Sequence, residues 1–144
     1  MGGHGQRPSL ARWSLFSVTW HFSVWAGWAL VLAAAFAVQP KMGAMPTGFW
    51  VIAVLVLLGE LLPVITAGNY DPQGTVTSTA FVLAMLYLWG FWPAVLLQAG
   101  ATVISETVRR KDAWKLFFNV GQYAVSLFAA WGVMWLFGAQ NGVG

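Results

Sequence analysis

The chain has 144 residues, of which 59% are hydrophobic and 8% charged, and its mean hydropathy is +0.70. Soluble domains carry roughly a quarter charged residues, so a water-exposed globule is excluded, and the absence of cysteine excludes a disulfide framework, a thiolate metal site and a thiol nucleophile. The net charge of +3 comes from basic residues set between apolar runs, which read as determinants of membrane orientation rather than as a nucleic-acid surface.

A membrane-crossing helix needs about 20 mostly apolar residues, because the hydrocarbon is about 30 Å thick and each residue rises about 1.5 Å. After a polar tail, 1–12, the first predicted helix covers 13–38 and stops before Gln39-Pro40. Its apolar run is too long for a cleaved signal peptide. The second covers 47–66, with Pro63 in its last turns, and a turn-like "AGNYDPQG" follows. The third covers 75–91 and the fourth 93–108, with Pro93 as its first residue. These two are short and also read as one hydrophobic hairpin. The fifth covers 114–137, and residues 139–144 form a Gly-rich tail. The fold class is therefore an all-α membrane bundle of about five transmembrane helices, with residues 13–138 as its single domain.

Charge placement orients this bundle. With the N-terminus in the cytoplasm, the inner side carries Arg7, Arg12 and the loop "RRKDAWK", whereas the outer side carries Lys41 alone. That is the asymmetry of the positive-inside rule. Arg109, Arg110, Lys111 and Lys115 thus set topology and face anionic lipid. Trp13 and Trp114 fall at the inner interface, and Trp50, Trp89 and Trp92 at the outer one, as an aromatic belt. An odd number of spans puts the C-terminus outside. The location is the inner (plasma) membrane, multi-pass.

Polar groups inside hydrocarbon are costly and face a partner, a cavity or a pathway. Ser14, Ser17 and His21 share one face of the first helix. Glu60 lies three residues before Pro63, which cannot donate to the Gly59 carbonyl and kinks the backbone there. Gln98, Thr102 and Ser105 form a stripe at i, i+4, i+7, with Glu106 at its cytoplasmic end, and Asn119, Gln122 and Ser126 form another. These two stripes are expected to face each other, and Glu60 to bond Thr77, Ser78, Asn119 or Gln122. Each feature also has a plainer reading. Membrane serines and threonines commonly bond their own backbone or let helices approach. Glu106, one turn before Arg109 and Arg110, reads as half of an interfacial ion pair. A lone histidine defines no metal site. The spacing offers no phosphate loop, no His-x-x-x-His and no Ser-His-acid set, so neither an enzyme nor a cofactor is expected.

The segments "GELLPV", "TVTSTAFVLAMLYLWGFWPAVLLQAGATVISETVRR" and "WKLFFNVGQYAVSLFAAW" resemble the N-terminal membrane module of many actinobacterial signalling proteins. This is the membrane-associated sensor (MASE-like) type of domain fused to cyclic-di-GMP outputs of the GGDEF, EAL or HD kind. The likeness covers about residues 59–137. It implies a membrane sensor or anchoring domain in which Glu60, Pro63, Thr77, Ser78, Glu106, Asn119 and Gln122 match recurring positions. This chain departs from the pattern in ending at Gly144 with no output domain. The resemblance therefore implies either a parent chain that continues through a sixth helix or a stand-alone relative.

The resulting expectation is a sensory or regulatory membrane module without catalysis of its own. Its ligand-binding or polar cluster comprises Glu60, Thr77, Ser78, Gln98, Thr102, Glu106, Asn119 and Gln122. Its partners are the lipid bilayer, other membrane subunits or a second copy, and a small molecule of unknown identity, with no nucleic acid. The alternatives are a small-solute binding or transport component with a polar intramembrane pocket, or a structural subunit of a larger complex, the last suggested by ten tryptophans and the lone His21.

Overall fold

The computed structural model describes residues 10–62 and 78–138. Every element in them is helical: α1 (Leu10–Val38), continued by a 3₁₀ segment (Gln39–Ala44), α2 (Thr47–Leu61), α3 (Ser78–Trp89), α4 (Phe91–Val108) and α5 (Ala113–Leu136). The five predicted helices are all present. Expected residues beyond Leu62 in α2 and before Ser78 in α3, Pro63 and Thr77 included, lie outside the described residues, as do both tails and the "AGNYDPQG" turn. Two segments, Ser17–Ala44 and Ala113–Leu136, are long and apolar enough to cross a membrane.

The break between α3 and α4 differs from its predicted position. It falls on Gly90 alone, so the third helix ends at Trp89 rather than 91 and the fourth begins at Phe91 rather than Pro93. Gly90 has φ 87° and ψ −174°, a combination essentially closed to residues with a Cβ. That single residue reverses the chain. Pro93 becomes the third residue of α4, still within the first turn, where a missing N–H breaks no intrahelical bond. The other end of α4 closes as a Schellman motif: Lys111 N–H donates to the Glu106 carbonyl at 3.1 Å and Arg110 N–H to that of Thr107 at 3.1 Å. The left-handed position of this motif, where glycine is usual, is taken by Arg110 with φ 51°.

The helices alternate in direction. At one end Phe49 of α2 packs on Trp89 of α3, and Phe91 of α4 packs on Phe128 and Trp131 of α5, with centroids 5.6–5.7 Å apart. Val38, at the end of α1, borders the same groove as Phe49 and Pro93. At the other end Glu60 of α2 meets Ser78 of α3 and Ser105 and Arg109 of α4. Consequently α1 and α5 run parallel. Helix α4 touches all four others, between an α1–α5 pair and an α2–α3 pair, and contributes Phe91, Ala94, Val95, Ala99 and Ala101 to a core shared with Val56, Val82, Met85, Leu86 and Val120.

The α1–α5 contact is a glycine crossing. A Cβ on Gly27 would overlap the backbone of Gly121, and one on Gly121 would overlap the Ser23 carbonyl. With no side chain between them the two backbones touch, which maximises dispersion contact where small residues meet. Trp28 locks the register by donating its indole N–H to the Phe117 carbonyl at 3.0 Å.

Candidate functional site

The central polar group is Glu60, 5% exposed in the last turn of α2. Its carboxylate Oε1 accepts hydrogen bonds from the Ser78 hydroxyl at 2.7 Å and from Gln98 Nε2 at 2.7 Å. One atom thereby joins α2, α3 and α4. Gln98 Nε2 also donates to Thr102 Oγ1 at 3.1 Å, so both amide hydrogens are used. Buried polar groups in hydrocarbon need such partners, because an unpaired one costs several kcal/mol.

The backbone of the same residue is closed from α4. Carbonyls in the last turn of a helix lack an intrahelical donor. That of Glu60 accepts from Arg109 Nη2 at 2.7 Å and from the Ser105 hydroxyl at 3.3 Å. A cation at the negative end of the α2 dipole is favourable as well. Arg109, at the end of α4, therefore caps a helix that lies two elements earlier in the sequence.

Glu106, 6% exposed, belongs to a second group at the α4–α5 turn. Its Oε1 pairs with Lys111 Nζ at 2.8 Å and accepts from Asn119 Nδ2 at 3.3 Å. The expected ion pair exists, but its cation is Lys111, because the left-handed Arg110 turns the chain back over the helix end. Arg110 is exposed. Lys115 pairs with Asp112 at 2.8 Å and lies 5.4 Å from the Trp114 ring centroid.

The two predicted stripes do not face each other. Gln98, Thr102 and Ser105 are buried, but they turn toward Glu60 on α2. On α5, Asn119 alone reaches α4; Gln122 and Ser126 are exposed and do not join the cluster. The reason is the packing of α5, which buries Val120, Gly121, Ala124 and Leu127 against α1 and α4. A helix with that face inward must carry residues 122 and 126 elsewhere. Tyr123 is half-buried within electrostatic reach of Glu60, Glu106 and Arg109. Among the described residues His21 bonds its own helix, at the Ser17 carbonyl 2.7 Å away, and no group of three metal-ligating side chains occurs.

Of the four partners expected for Glu60, Ser78 bonds it, Asn119 bonds Glu106 instead, Gln122 is exposed and Thr77 lies outside the described residues; Gln98, expected in the cluster, is a partner the sequence reading does not name. The signal was available: a stripe of donors on one helix and a single deep acid on another require each other. The capping role of Arg109 and Ser105 had no such signal, since it depends on where α2 ends relative to α4.

Two buried atoms in the cluster have no hydrogen-bond partner among the described residues: Gln98 Oε1 and Glu106 Oε2. Both are acceptors. Comparison with protein-family models, curated proteins and solved structures finds no match to this chain.

Proposed function

We propose that the chain is an integral membrane sensory module of five spanning helices, N-terminus inside and C-terminus outside, without catalysis of its own. Outward-facing side chains support a lipid setting: Trp25 is 73% exposed, Phe36 77%, Leu136 74% and Phe137 83%. Only 28% and 22% of the apolar windows in the two segments long enough to span are buried within the bundle, unlike the core helix of a soluble protein. The alternating directions agree with odd spanning, and Arg109, Arg110, Lys111 and Lys115 gather at one end, as the positive-inside rule requires.

The observation that carries the sensory reading is the Glu60 knot. A carboxylate buried in a membrane bundle, tying three helices through one oxygen, is a junction at which a small chemical change alters helix packing. On the resemblance to cyclic-di-GMP-linked membrane modules, the output would be a cytoplasmic enzyme held in the same chain or as a partner. The test is cellular cyclic-di-GMP after deletion of the gene, with complementation by wild type and by Glu60→Gln. Deletion should change the level, and Glu60→Gln should fail to restore it although the protein inserts normally. An unchanged level in the deletion strain refutes the signalling reading. A small-solute component is the second reading, favoured by the unpartnered Gln98 Oε1.

A further inference from the structure

We infer that Glu60 and Gln98 form a binding site for a small cationic N–H donor, an ammonium ion or a primary alkylammonium head group. The inference rests on the sensory reading of the Glu60 cluster and names what that cluster would detect.

The argument is an inventory of donors and acceptors. Every assigned donor in the cluster is engaged: Ser78 on the Glu60 carboxylate, both Gln98 amide hydrogens on Glu60 and Thr102, and Ser105 and Arg109 on the Glu60 carbonyl. Apart from the hydroxyl hydrogen of Thr102, whose oxygen accepts from Gln98, what is left over is acceptor capacity. Gln98 is 4% exposed, and its Oε1 has no partner. That oxygen shares an amide group with the nitrogen held 2.7 Å from Glu60 Oε1. It therefore lies one amide's width beyond the carboxylate. The amide cannot simply be reversed, because its oxygen would then confront the carboxylate while both present donors were lost.

Charge gives the same answer. The two buried acids are treated differently: Glu106 has its counter-ion in Lys111, whereas the Glu60 carboxylate accepts, among the described residues, from a neutral hydroxyl and a neutral amide. Among the described residues the ion pairs within 4.0 Å are Lys111–Glu106 and Lys115–Asp112. Arg109, the nearest candidate, is engaged by the carbonyl of Glu60. A contact cation would pair the Glu60 charge, and its N–H would satisfy Gln98 Oε1. Coulomb attraction at contact outweighs repulsion from a more distant guanidinium. A neutral donor would meet only the second need, and a quaternary ammonium only the first.

The test is thermal unfolding of the full chain in detergent at constant ionic strength, with ammonium, methylammonium, tetramethylammonium, sodium or potassium chloride. A ligand of the folded state raises the melting temperature saturably. Ammonium and methylammonium should do so, and the other three should not. Glu60→Gln, which keeps an acceptor for Ser78, should abolish the response; Glu106→Gln should retain it. Equal responses to tetramethylammonium, or a response surviving Glu60→Gln, overturn the site. So does a response to sodium or potassium alone, which would mean a metal ion, or no response at all, which would leave Gln98 Oε1 to water. The two readings fail separately. Loss of the ammonium response with a cyclic-di-GMP phenotype intact removes only the ligand, and the reverse removes only the signalling role.

Discussion

Replacing Glu60 by leucine isolates what its carboxylate contributes, because the substitution leaves the backbone carbonyl, and with it the Ser105 and Arg109 caps, in place. Two donors lose their acceptor. Ser78 is 0% exposed and its hydroxyl has no other described partner, so it bears the full cost of a stranded donor, about 1–3 kcal/mol. Gln98 keeps its bond to Thr102 and loses one hydrogen bond of ordinary net worth, about 0.5–1.5 kcal/mol. Hydrogen bonds between membrane helices measure lower, averaging about 0.6 kcal/mol, which sets a floor near ~1 kcal/mol for the two. The expected loss is therefore about 1–4.5 kcal/mol, and Glu60→Gln should lose far less because an amide oxygen still accepts from Ser78. Reversible unfolding in mixed micelles reads this directly, and a double-mutant cycle with Ser78→Ala assigns it. The cycle should show a coupling of at least about 0.6 kcal/mol. Strict additivity of the two mutants, or a leucine variant as stable as wild type, would refute the account of Glu60 as the junction of three helices.

Further substitutions test the backbone features. Gly121→Ala must push α5 off the Ser23 carbonyl and should cost about 1–3 kcal/mol, whereas Gly132→Ala on the same helix, with nothing within 4 Å of the added carbon, should be neutral or stabilising by up to about 1 kcal/mol; similar melting temperatures for the two would disprove the crossing. Gly90→Ala also meets open space, yet should cost about 1–3 kcal/mol through its backbone angles alone, as judged against Gly100→Ala in the same melting assay. Arg110→Gly should stabilise by about 0.5 kcal/mol or more, since it relieves a left-handed arginine costing about 1–2 kcal/mol against the added freedom of an unfolded glycine; a destabilised variant would show that the arginine side chain outweighs its backbone. Cysteines at Gly43 and Gly90 should react with an impermeant reagent outside intact cells and one at Asp112 should not, and labelling at 112 would overturn the proposed orientation.

The helices were legible because each is a long apolar run between breakers, and that signal is local. Boundaries were legible only where the breaker acts alone. Gln39-Pro40 ended α1 as read, although the chain continues as a 3₁₀ segment. At "WGFWP" two breakers compete, and sequence spacing alone favours the proline. Glycine prevails because the reversal requires its φ of 87°, while a proline in a first turn disturbs nothing. The glycine crossing passed unnoticed for a related reason. Ser23, Gly27 and Gly121 look unremarkable in so apolar a sequence, and their meaning appears only when the parallel course of α1 and α5 brings them together.

The polar cluster shows where one-helix reasoning stops. Spacing on α4 correctly placed Gln98, Thr102 and Ser105 on one face, and spacing on α5 grouped Asn119, Gln122 and Ser126 just as soundly. Neither spacing says which neighbour a face will meet. The helix that follows in sequence, α5, was the natural partner for α4, but α5 presents its small residues to α4 and α1, where small side chains let the backbones approach closely. The donors of α4 are then left for α2, whose last turn carries both needs they can meet: a buried carboxylate and a carbonyl without a helical donor. Gln122 and Ser126 have no such demand facing them and stay outside. The same residues that hold the helix end also leave one buried oxygen, Gln98 Oε1, unmatched. A bundle that needed only to stand would be expected to satisfy it or replace it with an apolar group, since a half-satisfied polar network is less stable than an apolar core. Glu60→Leu combined with Gln98→Leu and Ser78→Ala removes the acid, the amide, the unmatched oxygen and the hydroxyl that would otherwise be stranded. If the cluster is structural, the triple variant should be less stable than wild type; if it is kept for binding, the triple variant should equal or exceed wild type in stability while losing the ammonium response.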